Sequence, residues 1–256
     1  MNIWSYWEGP KPDWVNQCLE SLSRHGGDSV KILSWEDFDK LWKHDRDLPV
    51  QDLFVVQKSD FIRAYLLRHY GGVWIDADCL IMKSLEPILK MSEMWDFFYY
   101  RQKCSDLSNA FIGARKGSPV AKRFYELVHS RLYKMKFPFL YGSQPLGWLE
   151  IGSVMMNQAL DQVNADCLQI SAEMVAPYDW NEGEVYFEQS GEKEFEEMNK
   201  NYFLCHMLSN QAIKGFEDET KDKLEHKDSF FSYLVKKSAE NDFCDEQEGG
   251  ITKNNE

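Results

Sequence analysis

Lys58 to Asp78 reads K-S-D-F-I-R-A-Y-L-L-R-H-Y-G-G-V-W-I-D-A-D, and the patterning of this stretch decides the fold. Its first part carries Phe61, Ile62, Tyr65 and Leu66 at the three-to-four spacing of a helix with packed faces. That spacing predicts a helix from about Gln51 to Tyr70, stopped by the pair Gly71-Gly72. From Val73 to Asp78 the pattern changes to period two, the signature of a strand. On such a strand Trp74, Asp76 and Asp78 share one side, while Val73, Ile75 and Ala77 share the other. A helix that runs through a glycine stop into an apolar strand is one unit of an α/β sheet.

The same alternation precedes it. Ile3 to Trp7 reads as a strand, broken by Gly9-Pro10-Lys11-Pro12. Asp13 can cap a helix with apolar positions Val15, Cys18, Leu19 and Leu22, ended by Gly26-Gly27. Val30 to Leu33 is a second strand. Ser34 and Asp37 form a capping box short by one methylene, opening a helix through Phe38, Leu41 and Trp42. Beyond residue 78 the signals are less regular. Strands are expected at Asp96–Tyr100 and Ala110–Ala114, then a helix opened by Ser118-Pro119 and running to about Lys134. Pro138 to Trp148 reads as loop, Ser153 to Val163 as helix, and Tyr202 to Met207 as a last strand. Residues 218–239 read as a polar, solvated helix and 240–256 as an acidic, frayed tail. The expectation is a single α/β domain over 1–239, a Rossmann-like mixed sheet flanked by helices, followed by the tail.

The chain has 256 residues, of which 43% are hydrophobic, enough for a sizeable core. It carries 29 basic and 42 acidic side chains, a formal net charge of −13. No Lys/Arg run offers counterion release, which argues against a nucleic-acid partner. The six cysteines never form a C-x-x-C pair, so they read as reduced thiols. The opening M-N-I-W-S-Y-W-E-G-P lacks the basic and apolar regions of a secretory leader, so a cytoplasmic chain is expected. Phosphate-loop, dinucleotide and hydrolase-elbow motifs are absent from the sequence.

Chemistry concentrates at the end of the predicted strand. Asp76 and Asp78 repel each other there unless a divalent cation sits beside them, and hard oxygen ligands suit Mg²⁺ or Mn²⁺. Many such acid pairs are only solvated loop residues; the apolar strand before this one favours a ligand at its carboxyl end. Asp60 and Arg63, three apart on the helix, read alone as a surface ion pair.

The stretch S-D-x-x-R-x-x-x-L-x-x-x-G-G-x-W-x-D-x-D, Ser59 to Asp78, resembles the signature of the DXD glycosyltransferases of family 32. It is equally similar to the capsular polysaccharide synthesis proteins and to the glucosylating domains of large clostridial toxins. Ile3 to Pro10 resembles the opening strand of these families, and Asn109 to Ala114 their N-x-F-x-x-A segment. The resemblance covers about residues 1–120. It implies a GT-A fold, with residues 1–120 as the donor-nucleotide half and 121–239 as the acceptor half. It also implies a nucleotide-sugar donor, Mn²⁺ or Mg²⁺, and transfer with retention.

Carried over by residue, Asp78 would ligate the metal and Asp76 would hold ribose or sugar hydroxyls and reach the metal through water. Asp60, Arg63 and Asn109 would grip the donor, and Trp7 would stack on its base. Trp4 is taken to point the same way as Trp7, so the two roles could be exchanged. His206, at the end of the last strand, is the third metal contact by resemblance, although a lone His on an apolar segment is more often a core residue. Two departures stand out. Ser209-Asn210-Gln211 replaces an expected Trp, and Ile151-Gly152-Ser153 replaces Thr-Gly-Pro. Glu150 is the nearest candidate nucleophile; otherwise a front-face transfer is the default. The implied role is surface polysaccharide synthesis (capsule, O-antigen or lipooligosaccharide), with a UDP-sugar favoured over a GDP-sugar. A saccharide or lipid-linked saccharide is the implied acceptor, reached by peripheral contact with the inner membrane face. A degenerate, non-catalytic sugar or nucleotide-sugar binder is the alternative. A sugar-1-phosphate nucleotidyltransferase fits less well, because Gly9-Pro10-Lys11-Pro12 is a poor triphosphate loop.

Overall fold

A computed structural model describes residues 1–103, 107–142, 145–179, 182, 185–186, 191–199, 205–207 and 229–240. The first strand, β1 (Ile3–Tyr6), is followed by helix α1 (Asp13–Gly26) and strand β2 (Val30–Leu33). Helix α2 (Trp35–Leu41) opens on the predicted capping box, with the Ser34 hydroxyl accepting from the Asp37 amide at 3.2 Å. Helix α3 (Val55–His69) then leads through the glycine pair into β3 (Gly72–Ile75). Gly71 and Gly72 both have positive φ, +70° and +106°, and a Cβ on Gly72 would lie 2.3 Å from the Asn2 carbonyl oxygen. Only glycine allows so sharp an entry into a strand that pairs immediately.

The chain continues through β4 (Cys79–Ile81), α4 (Glu86–Met94), β5 (Phe97–Arg101), β6 (Leu107–Ala114) and α5 (Pro119–Met135). After a short α6 (Pro138–Tyr141), a π-helical turn at Glu150–Val154 opens α7 (Met155–Gln162). Then come β7 (Cys167–Ile170), α8 (Ala172–Val175), α9 (Gly191–Asn199), β8 (Cys205–Met207) and α10 (Phe230–Ala239). Six strands form one sheet in the order β2-β1-β3-β6-β5-β7, while β4 and β8 pair separately. β1 is parallel to both β2 and β3, and β6 is antiparallel to both β3 and β5. This mixed sheet agrees with the expected architecture.

Alternation along the strands splits the core in two. Ile3, Val73, Ile75 and Phe111 pack with α1, β4 and α10 on one face. Trp4, Trp74, Phe97 and Ile112 pack with α3, α5 and α7 on the other. Helices therefore cover both faces.

Several expectations need correction. The strand expected to reach Asp78 stops at Ile75. The Asp76 amide still donates to the Ala110 carbonyl at 2.8 Å, after which the Cys79 amide closes a turn onto the Asp76 carbonyl at 3.2 Å. Trp4 and Trp7 do not point the same way. They are three residues apart, so period two places them on opposite faces. Trp4 is buried, with its indole N–H donating to the Gly71 carbonyl at 2.8 Å and its ring 5.8 Å from Tyr70.

The segment taken as a solvated helix is not solvated where it is described. In α10, Phe230, Phe231 and Leu234 are buried, and Ser238 donates to the Ile81 carbonyl at 2.6 Å. Residues 218–228, 209–211 and 241–256 lie outside the described residues.

Candidate functional site

A cleft of about 310 Å³ opens at the carboxyl ends of β1 and β3, where an open α/β sheet binds ligands. Four segments build it. Trp7 and Glu8 come from the end of β1, Ser59, Asp60 and Arg63 from α3, Asp76 to Asp78 from the turn after β3, and Asn109 from β6. Trp148 and Leu149 close the far side. Of the sequence-predicted residues, Trp7, Asp60, Arg63, Asp76, Asp78 and Asn109 thus line one cavity, and Glu150 does not.

Arg63 is its hub. The side chain is 3% exposed, and its two terminal nitrogens donate separately, Nη1 to Asp60 Oδ1 and Nη2 to Asp76 Oδ1, each at 2.5 Å. The guanidinium lies 4.8 Å from the centre of the Trp74 ring. The Trp74 indole N–H also donates to Asp76 Oδ1, at 2.6 Å. Asp60 Oδ1 accepts a further bond from Asn109 Nδ2 at 2.7 Å. The sequence spacing read alone as a surface ion pair is therefore a buried triad of one cation and two acids. Burial pushes the Asp60 carboxyl up to about 6, with Arg63 and Asn109 pulling it back.

Asp78 stands apart. Its Oδ1 is buried and has no hydrogen-bond partner. Burial, then the neighbouring Asp76 charge, pushes its carboxyl up to about 8. A backbone hydrogen bond and the Arg63 charge pull it back only in part, and a buried carboxylate oxygen without a partner, on a residue that lines the cleft, is a donor suited to a cation. Among the described residues no group of three His, Cys, Asp or Glu side chains is arranged to hold a metal ion. The chemistry of the donor set still fits Mg²⁺ or Mn²⁺, which take few protein oxygens and complete their shells with water and phosphate. The backbone of His206 pairs with Leu80, two residues past Asp78; its side chain lies outside the described residues.

Trp7 sits on the rim, its indole N–H donating to the Pro10 carbonyl at 3.1 Å. A second hollow of about 350 Å³, lined by Trp7, Glu8, Ile32 and Ser34, adjoins the cleft. Glu8 lies between the two and was not singled out by sequence. It accepts from the Tyr6 hydroxyl at 2.6 Å and from Lys58 at 3.0 Å. Burial alone would raise its carboxyl, but these two donors carry it below the ordinary range. Its only signal in the sequence is its place beside Trp7.

Glu150 does not line the cleft. It accepts from Arg131 Nε at 2.5 Å and from the Gly147 amide at 2.8 Å, which pins the loop before α7. Gly152 carries more weight than its departure from the expected Thr-Gly-Pro suggests. It breaks helical geometry at φ −95° and ψ −111°. A Cβ there would lie 2.5 Å from Asn109 Nδ2 and 2.7 Å from both oxygens of Asp60. Gly152→Ala is expected to displace the Asp60–Asn109 pair while leaving the sheet intact. Turnover of a substrate bound in the cleft should fall by up to about 100-fold, since an ångström of misplacement costs that much in rate. Single-turnover kinetics alongside a thermal melt separate this from unfolding.

A family model described as "Capsular polysaccharide synthesis protein" matches residues 1–139, more than half of the chain. The chain belongs to this family. The matched region contains every cleft residue except Trp148 and Leu149. It is similar to the O-glycosyltransferase braB of Annulohypoxylon truncatum, 26% identical over 152 residues, 49% of this chain and 36% of that protein. It is also similar to inositol phosphoceramide mannosyltransferase 3 of Schizosaccharomyces pombe, 27% identical over 94 residues, 36% of this chain and 25% of that protein. The alignments thus span little more than a third of these curated relatives at most. Among solved structures, the glycosyltransferase GlyE of Streptococcus pneumoniae is 11% identical, with a TM-score of 0.48 over 93% of this chain and 60% of that one.

Proposed function

We propose that the chain is a metal-dependent, retaining glycosyltransferase that moves a sugar from a nucleotide-sugar to a saccharide acceptor in surface polysaccharide synthesis. Membership of the capsular polysaccharide synthesis family and the glycosyltransferase relatives support the class. The observation that carries the site is Asp78. In a cleft where Asp60 and Asp76 are both held by Arg63, Asp78 alone presents a buried oxygen without a partner.

Asp78, with Asp76 beside it, is the pair that would hold Mn²⁺ or Mg²⁺, with His206 proposed as a third contact. A bound ion would supply Lewis-acid stabilisation of the charge on a departing diphosphate. The remaining work falls to the chain itself. Arg63 adds fixed positive charge next to the acids and locks their geometry before any ligand arrives. Asp60 and Asn109 are placed to take sugar hydroxyls, and the Trp7 ring to stack on the base at the entrance to the adjoining hollow. With Glu150 committed to Arg131, the reading that remains is a front-face transfer in which the leaving phosphate accepts the acceptor's proton.

Hydrolysis of nucleotide sugars without acceptor tests this, with a UDP-sugar as the first donor. Release of UDP that stops on chelation is expected. Trp7→Ala is expected to raise KM about tenfold with kcat little changed, by analogy with base–aromatic stacking worth about 1–3 kcal/mol. Tight binding of nucleotide sugars with no turnover, with or without saccharide acceptors, would instead identify a non-catalytic binder.

A further inference from the structure

The far wall of the cleft holds a side chain that no role assigned so far uses. Gly147 to Glu150 form a turn closed by the Glu150 amide, which donates to the Gly147 carbonyl at 3.2 Å. Its two corners are Trp148 and Leu149, 67% and 55% exposed, and both line the cleft. Turn corners ordinarily carry Gly, Pro, Asn, Asp or Ser, so an indole there answers no local need of the backbone. Core packing does not require it either, since most of its surface faces solvent. The turn is nonetheless braced. The Glu150 carboxylate accepts from the Gly147 amide and from Arg131, and Arg131 Nη2 also donates to the Pro145 carbonyl at 3.3 Å. Gln57, in the first turn of α3, donates to the Leu146 carbonyl at 3.5 Å. An exposed ring on a braced turn is a preformed contact surface, with little backbone order left to impose when a ligand arrives.

The place of the turn indicates which substrate it meets. Two residues beyond Glu150, Gly152 abuts the Asp60–Asn109 pair. The turn therefore leads directly to the residues placed for the donor sugar, whereas Trp7, placed for the base, comes from the end of β1. A transferase must hold its second substrate against the donor sugar. A pyranose presents C–H groups on its faces and hydroxyls round its edge, so it can lay one face on an indole while the hydroxyls stay hydrated. Charge narrows the class. Glu8, Asp60, Asp76 and Asp78 line the cleft, against Arg63 as the one cation among the described lining residues. Its terminal nitrogens are already taken by Asp60 and Asp76. A carboxylated or phosphorylated sugar would meet repulsion in such a field.

We propose that Trp148 is the stacking platform for the acceptor, and that the acceptor ends in an uncharged pyranose. This rests on the transferase reading above, but the contact itself needs no turnover and is read by binding alone.

Saturation-transfer NMR on the full chain tests it, using methyl glycosides of glucose, galactose and mannose and the matching uronides, with and without UDP and Mn²⁺. Wild type is expected to bind at least one neutral glycoside and to hold the matching uronide about tenfold more weakly. Trp148→Ala alters an exposed side chain and is expected to melt with wild type while losing about tenfold in glycoside affinity. Trp148→Phe is expected to recover part of that loss. Thermal stabilisation by UDP, GDP and CDP with Mn²⁺ is expected to be the same in wild type and Trp148→Ala, because the donor's partners are untouched. Absence of glycoside binding by wild type under both conditions, or unchanged binding by Trp148→Ala, would overturn the proposal. So would a loss of diphosphate stabilisation in Trp148→Ala, which would assign the ring to the donor. Uronides bound as tightly as neutral glycosides would overturn the uncharged class. A neutral glycoside bound through Trp148 by a chain that no diphosphate stabilises would keep the saccharide contact and refute the transferase reading, so the two fail separately.

Discussion

Asp78→Asn is expected to lower turnover of a nucleotide sugar by on the order of 10³-fold, the scale on which a single electrostatic contact to a developing charge counts. The same change is expected to make the metal-free protein more resistant to heat at neutral pH. Asp78 is held near 8 in the fold, against about 3.8 for the ordinary side chain. Its neutral form is thus the one the folded state prefers, so its contribution to stability is full below the ordinary value and is lost as pH rises through the folded one. The metal-free wild type is expected to lose melting temperature progressively between about pH 4 and pH 8, and Asp78→Asn to lose less. Saturating Mn²⁺ is expected to reverse the order of the two proteins at neutral pH, because binding displaces the proton that burial favours. A scanning melt across pH, with and without Mn²⁺, reads all of this from two proteins.

Arg63→Ala carries the largest expected cost in stability. The residue is buried between two carboxylates, so its removal leaves Asp60 and Asp76 facing each other without a cation. Breaking a buried pair in this way costs about 3–5 kcal/mol. In a chain of this size that lowers the melting temperature by roughly 10 °C. Asp60, now without the charge that holds its carboxyl near 6, is expected to move further up. The loss is therefore expected to be small in mild acid, where the carboxyl is already neutral, and largest above neutrality. Arg63→Lys is expected to fall between wild type and alanine, since one ammonium cannot reproduce two separate bonds from a planar fork. Chemical denaturation at two pH values distinguishes the predicted asymmetry from a uniform packing defect.

The parts of the fold that local chemistry determines were legible in the sequence. The Ser34–Asp37 box, the glycine stop before β3 and the Ser118-Pro119 entry to α5 each act within a turn of the chain. The features that were missed depend on distant partners. Strand β4 was missed because Cys79-Leu80-Ile81 continues an apolar run, and only its pairing with β8 shows that the chain has turned. The burial of α10 was missed because the charged residues before it dilute Phe230 and Phe231 over a long window. Within the site, spacing alone pointed to Asp76 and Asp78, and the family resemblance added Asp60, Arg63 and Asn109. The arrangement itself was not readable. Nothing in the sequence says that Arg63 divides its two donors between two acids, that Arg131 claims Glu150, or that Gly152 leaves just enough room for the Asp60 carboxylate.

The central claim is that the unpartnered Asp78 oxygen makes this cleft a metal-assisted nucleoside diphosphate site. Thermal stabilisation of wild type and Asp78→Asn by UDP, GDP and CDP, each with and without Mn²⁺, tests it most directly. A ligand at 100 times its dissociation constant adds about 2.7 kcal/mol of stability, which in a chain of this size is a shift of several degrees. The account predicts such a shift for one of the three diphosphates in wild type, dependent on Mn²⁺ and absent in Asp78→Asn. An equal shift without the metal or in the variant, or no shift with any of the three, would contradict it.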